Sequence, residues 1–206
     1  MIKNIIFDWS GVIKDCVLDY LTISNKIFKH FGAKEISLKE LREEYCQPFM
    51  LYYNKYLPDI TFEQQADVYR KAISEIPEVK QYKGISDLIK EFKNQGKNLV
   101  VISSDNPETL LQEMKSFGLD GVFNEVIFRA YDKEETTRRV IEDNNFKLDE
   151  TIFIGDSNHE IEVGKKVGIK TGAVTWGFCT KERLEALEPD FLINSLEELR
   201  DIVLMS

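Results

Sequence analysis

At 206 residues, 43% of them hydrophobic and 31% charged, the chain is long enough for one ordinary domain with a sizeable insertion, or for one large domain, with a proper core and a soluble surface. A net charge of −9 argues against nucleic acid and anionic membrane surfaces as partners, but not against a small anionic substrate held beside a metal ion and a lysine. The longest apolar run, Phe49 to Tyr53, is far too short for a membrane span, and Met1-Ile2-Lys3-Asn4 leads into a strand-like segment without the apolar stretch of a signal peptide.

In chain order, a first buried strand is expected at Asn4–Phe7. From about Asp15 to about Tyr82 no strand is expected, only three or so helices. The first has Val17, Leu21, Phe28 and Phe31 on one face and stops at Gly32. Two more open with the capping patterns Ser37-Leu-Lys-Glu40 and Thr61-Phe-Glu-Gln64. Beyond this block, short apolar runs alternate with helical patterns. Strands are expected at Asn98–Ser103, Glu125–Phe128, Thr151–Ile154 and Lys170–Val174, with Phe191–Ile193 as a sixth. Between them Ile85, Leu88, Ile89 and Phe92 recur at helical spacing before Gly96. Pro107 then opens a helix whose face is Leu110, Leu111, Met114 and Phe117, and Ser195 with Glu198 caps a last one. Near-continuously apolar strands alternating with helices predict an α/β fold with a parallel sheet covered on both faces. Cys16, Cys46 and Cys179 are odd in number and far apart, so reduced, buried thiols in a cytoplasmic protein are expected.

Four segments carry chemistry. Ile5-Ile6-Phe7-Asp8-Trp9-Ser10-Gly11 ends a buried strand in an aspartate and a glycine turn, and Ile152-Phe153-Ile154-Gly155-Asp156-Ser157 repeats that form. In open α/β sheets, ligands sit at the carboxyl ends of the strands. Asp8 and Asp156 would there make a hard oxygen site suited to magnesium, with Glu160 completing it directly or through a water. For Asp8 a turn or capping role stands as the alternative. For Glu160 the alternative is a favourable charge at a helix N-terminus. In Leu99-Val100-Val101-Ile102-Ser103-Ser104-Asp105-Asn106-Pro107, a serine hydroxyl and backbone N–H groups would hold phosphate oxygens, although these are also ordinary turn and cap residues. Lys133 follows a strand and precedes a helix, where its ammonium would neutralise a nucleophile and a phosphate. A solvated surface lysine is the competing reading, and Arg129 a weaker competitor for the role.

In that order and spacing, Asp8, Ser103, Lys133, and Asp156 with Glu160 resemble the motifs of the haloacid dehalogenase superfamily over nearly the whole chain. Val174-Thr175-Trp176-Gly177-Phe178 and Pro189-Asp190-Phe191-Leu192-Ile193 are similar to its phosphoglycolate-phosphatase branch. The resemblance implies a Rossmann-like catalytic core over 1–14 and 83–206 with an inserted all-α cap over 15–82. It implies Mg2+-dependent hydrolysis of a small phosphorylated metabolite. Asp8 would form an aspartyl-phosphate, and the metal would be held by Asp8, the main-chain carbonyl of Ser10 and Asp156, with Glu160 nearby. Ser103, Ser104 and Lys133 would hold the phosphate.

One position departs from the pattern. The family's phosphatases carry a second aspartate two residues after the nucleophile, to protonate the leaving alcohol and later activate water; here it is Ser10. Three readings follow: a slow or specialised phosphatase, a carbon–phosphorus bond hydrolase, or a non-catalytic phosphate-binding member. The second rests on the likeness of Asp-Trp-Ser-Gly to the Asp-Trp-Ala-Gly of phosphonoacetaldehyde hydrolases. Those use a cap lysine, for which Lys55 is the nearest candidate. His159 and the cluster Phe49-Met50-Leu51-Tyr52-Tyr53 with Tyr56 remain open between substrate contacts and plain packing.

Overall fold

The computed structural model describes residues 1–76 and 79–205. The chain starts with β1 (Asn4–Phe7) and the two-residue strand β2 (Lys14–Asp15). Four helices follow: α1 (Val17–His30), α2 (Leu38–Glu44), α3 (Phe49–Tyr56) and α4 (Phe62–Ile73). The short β3 (Lys80–Gln81) returns antiparallel to β2, with Lys14 opposite Gln81 and Asp15 opposite Lys80. Then come α5 (Ile85–Asn94), β4 (Asn98–Ile102), α6 (Pro107–Ser116), β5 (Glu125–Ile127) and α7 (Lys133–Asn144). The chain ends with β6 (Thr151–Gly155), α8 (Asn158–Val167), β7 (Lys170–Val174), α9 (Lys181–Glu185), β8 (Phe191–Ile193) and α10 (Leu196–Met205).

Six strands form one parallel sheet in the order β5-β4-β1-β6-β7-β8. Alternate residues explain the continuous apolar runs, because both faces are covered. Ile5, Phe7, Leu99, Val101, Ile152 and Ile154 pack under α5, α6 and α10. Ile6, Val100, Ile102 and Phe153 face α7 and α8. The fold is therefore α/β with a Rossmann-like sheet, as the alternating pattern predicts. β1 lies at its centre, and the chain winds first to one side of it and then to the other. That makes the carboxyl ends of β1, β4 and β6 the switch-point crevice.

The helical block differs from expectation in two ways. Among the described residues it holds four helices, because the aromatic run Phe49–Tyr56 is itself helical. It is also closed off by the ribbon of β2 and β3. Thr61 and Gln64 form a reciprocal capping box, and Ser37 accepts from the Glu40 N–H. The block packs Ile23, Ile27, Phe28, Leu41, Tyr52 and Tyr53 into a core of its own, continuous with Phe178 and Leu184 beyond the sheet. The aromatic cluster is thus mostly packing. Tyr52 and Tyr53 are fully buried, while Leu51 faces solvent. No helix among the described residues is long and apolar enough to cross a membrane.

Candidate functional site

Parallel register brings three motifs to one level. Phe7 pairs with Val101 on one side and Ile154 on the other, so Asp8, Ser103 and Asp156 all lie just past the strand ends. Asp8 is fixed by its own N–H, which donates to the Ile154 carbonyl at 2.9 Å. Gly11, at φ +82°, turns the chain back beneath the site, where a methyl group would overlap the Asp156 carboxylate. Gly177 also approaches this carboxylate closely, and a methyl group there would overlap it too. The Phe178 N–H donates to Asp156 Oδ2 at 2.6 Å.

Lys133 is not a surface lysine. It opens α7, is 6% exposed, and its Nζ lies 2.9 Å from Asp8 Oδ1 and 2.7 Å from Glu160 Oε1. The other oxygen of Glu160 accepts from Ser157 Oγ at 2.8 Å. Both carboxylate oxygens of Glu160 are thereby engaged, which suits it to orienting Lys133 and to reaching an ion through water. Oxygens of Asp8, Asp156 and Glu160 lie within 4.8 Å of one another. Two buried carboxylates and the half-buried Asp8 face the Lys133 ammonium.

Electrostatics follow from that imbalance. Burial pushes the Asp8 carboxyl up to about 6, against the pull of Lys133 and with a further push from Glu160. Burial raises Asp156 well above the usual carboxylate range, helped by the charges of Asp8 and Glu160. For Glu160, burial is outweighed by Lys133, which holds it low. For Lys133, burial works against the charge but Asp8 and Glu160 overcome it and raise the ammonium. A hard divalent cation beside Asp8 and Asp156 would offset the excess negative charge, so the donor set fits magnesium.

Ser103 is buried at 2% exposure and its hydroxyl donates to Asp105 Oδ2 at 3.1 Å; Ser104 faces solvent. The Ser10 hydroxyl reaches the same Asp105 oxygen at 3.3 Å. Asp105, which reads in the sequence as a turn residue, thus joins two motifs. Arg129 is exposed, with φ +53°, and the salt bridges of the cluster do not include it. His159 is partly buried on the first turn of α8, where burial lowers its pKa. Lys55 is largely exposed and paired with Glu44 at 2.9 Å, which leaves it poorly placed as a Schiff-base lysine. Tyr45 had no signal in the sequence. It is buried, stacks on Phe178 at 4.5 Å and accepts from Gln47 Nε2 at 2.6 Å, while the Gln47 N–H donates to Asn158 Oδ1 at 3.3 Å. The helical block meets the chain segments that follow β6 and β7 there.

Residues 5–174, which include all four motifs, match the family model of haloacid dehalogenase-like hydrolases. The pyrophosphatase PpaX of Halalkalibacterium halodurans is 30% identical over 132 residues, 61% of this chain and 60% of that protein. The chain therefore matches less than two thirds of that relative's length. A predicted phosphatase of Clostridium acetobutylicum is 25% identical, with a TM-score of 0.82 and 100% coverage of both chains. A haloacid dehalogenase-like hydrolase of Streptococcus pneumoniae shares the fold, with a TM-score of 0.80 at 20% identity and 96% coverage of both. With the match spanning the helical block, five of the six sheet strands and all four motifs, the chain belongs to the haloacid dehalogenase-like hydrolases.

Proposed function

We propose that the chain is a Mg2+-dependent phosphohydrolase that cleaves small phosphorylated metabolites through an aspartyl-phosphate on Asp8. The observation that carries this reading is the buried Asp8–Lys133 pair at 2.9 Å, at the end of the central strand and beside Asp156. Residues 15–82 would serve as a cap hinged on the ribbon of β2 and β3, closing over residues 1–14 and 83–206.

In the first step an Asp8 oxygen bonds to phosphorus as the bond from phosphorus to the leaving oxygen breaks. Water then attacks phosphorus and frees inorganic phosphate and the Asp8 carboxylate. Lys133 and the Ser103 hydroxyl would hold the transferring oxygens, with backbone N–H groups around Ser104 adding donors. Phosphoryl transfer depends mainly on such positioning and on charge stabilisation. Asp8, the Ser10 carbonyl and Asp156 would hold magnesium, with Glu160 acting through Lys133 or a water. When bound, the ion neutralises charge that would otherwise keep a carboxylate from a phosphate.

Ser10 selects among substrates. A positioned acid contributes a factor of roughly 10²–10⁴, or about 3–5 kcal/mol of barrier, and a serine hydroxyl does not supply it. Substrates whose leaving group departs without a proton suit the site: aryl phosphates, or phosphoanhydrides of the kind the name of the PpaX relative implies. The test is magnesium-dependent phosphate release from an aryl phosphate, pyrophosphate and an alkyl phosphate, for the wild type and Ser10→Asp. Turnover of the first two, poor alkyl turnover and its recovery in Ser10→Asp support the reading. No release from any of them by folded protein, with magnesium and beryllium fluoride still bound, would leave a phosphate-binding protein instead.

A further inference from the structure

α6 carries a charge on its apolar face. Leu110, Met114 and Phe117 pack into the core, and Glu113 lies among them at 4% exposure. Its two oxygens are taken by two different residues of the loop after Asp8: Trp9 Nε1 donates to Oε2 at 2.6 Å, and Lys14 Nζ donates to Oε1 at 2.6 Å. Lys14 is itself buried at 9% exposure, and Trp9 is fully buried with its ring stacked on Phe117 at 5.7 Å.

The two donors bracket the loop. Trp9 follows the nucleophile directly, and Lys14 begins β2, the first strand of the ribbon that leads into the helical block. Between them the N–H groups of Val12, Ile13 and Lys14 all turn inward onto the Trp9 carbonyl, at 3.3, 2.9 and 3.0 Å. Beside the contact is an open groove of about 640 Å³ lined by Asp15, Lys80, Gln81, Thr109 and Phe117 among others. A buried carboxylate costs several kcal/mol to desolvate unless fully paired. Two charge-assisted bonds of 2.6 Å are strong and directional enough to fix the loop at both ends.

We propose that Glu113 is a positioning residue that locks the Asp8 loop and the hinge ribbon onto α6, so that the nucleophile and the cap share one anchor. This rests on the hydrolase reading above for its catalytic consequence, but not for the lock itself. Misplacing a reacting group by about 1 Å can cost about a hundredfold in rate, so loss of the anchor should lower kcat and spare KM.

Two double variants separate the anchor from simple charge burial. Lys14→Met with Glu113→Gln removes both charges but keeps an oxygen acceptor for Trp9. Lys14→Met with Glu113→Leu removes that acceptor too. Trp9→Phe supplies an independent route, since it deletes the indole donor and leaves the ion pair. kcat and KM for an aryl phosphate are measured with backbone amide exchange over residues 9–14. The Leu variant is expected to exchange faster in that segment and to turn over at least about tenfold slower than the Gln variant, and Trp9→Phe to do the same against wild type, with KM within about twofold. Equal exchange and equal kcat across the three would overturn the lock. A wild type that releases no phosphate would overturn the hydrolase reading, and exchange alone would then decide the lock. If the Leu variant fails to fold, Trp9→Phe against wild type decides it on the same readouts.

Discussion

Lys133→Met removes the ammonium bonded to Asp8 and Glu160 and leaves a side chain of similar length in its place. The wild-type Nζ is bonded to Asp8 at 2.9 Å and to Glu160 at 2.7 Å, and its side chain is 7% exposed, so water cannot replace it. Breaking a buried pair by deleting one partner costs about 3–5 kcal/mol. For a chain of this size each kcal/mol moves the melting temperature by about 2–4 °C, which gives a drop of roughly 6–20 °C in metal-free protein near neutral pH. The cost should shrink with acid. Asp8 already sits up at about 6 with Lys133 present, and removing the lysine raises it further, so a proton then neutralises the repulsion that the lysine had balanced. The assay is thermal unfolding followed by circular dichroism, in chelator, near neutral pH and again about two units lower. A variant as stable as the wild type at both pH values would refute the claim that Lys133 holds the cluster together.

Three further outcomes follow from the same cluster. Asp8 is raised in the folded chain, so its stabilising contribution is complete below the unfolded carboxylate value and is lost as pH rises through about 6. The melting temperature of the metal-free protein should therefore fall between about pH 4 and pH 6, and magnesium should flatten that fall; a metal-free protein that gains stability over this range would contradict it. Gly177→Ala places a methyl group against the Asp156 carboxylate, and a titration should show magnesium bound at least about tenfold more weakly in a folded protein. Unchanged affinity would mean Asp156 is not a ligand. In the side-by-side substrate assay, alkyl phosphate should turn over roughly 10²–10⁴-fold more slowly than aryl phosphate; comparable rates would mean another group supplies the proton.

Much of this architecture is legible in the sequence because the sheet is buried on both faces. The limits expected for Asn4–Phe7, Lys170–Val174 and Phe191–Ile193 coincide with the strands. What escapes is what periodicity does not encode. Two-residue strands such as Lys14–Asp15 and Lys80–Gln81 are too short to show a pattern, and the five consecutive apolar residues from Phe49 have no helical spacing to read. Strand ends mark Asp8 and Asp156, since position in an open sheet dictates function there. The burial of Lys133 depends on α7 packing against β4 and α8 and bringing it to Asp8 and Glu160, which no local window contains. Glu113 did leave a signal, a charged residue on the apolar face of a helix, and Asp105 none beyond an ordinary turn.

The most direct test is magnesium-dependent phosphate release from an aryl phosphate by the wild type and by Asp8→Asn, each shown to be folded. Release by the wild type that stops with chelator and is absent in Asp8→Asn is the result expected of a carboxylate nucleophile at the end of β1. Equal release by both proteins, or release indifferent to magnesium, would contradict the central claim that Asp8 and its metal carry out the reaction.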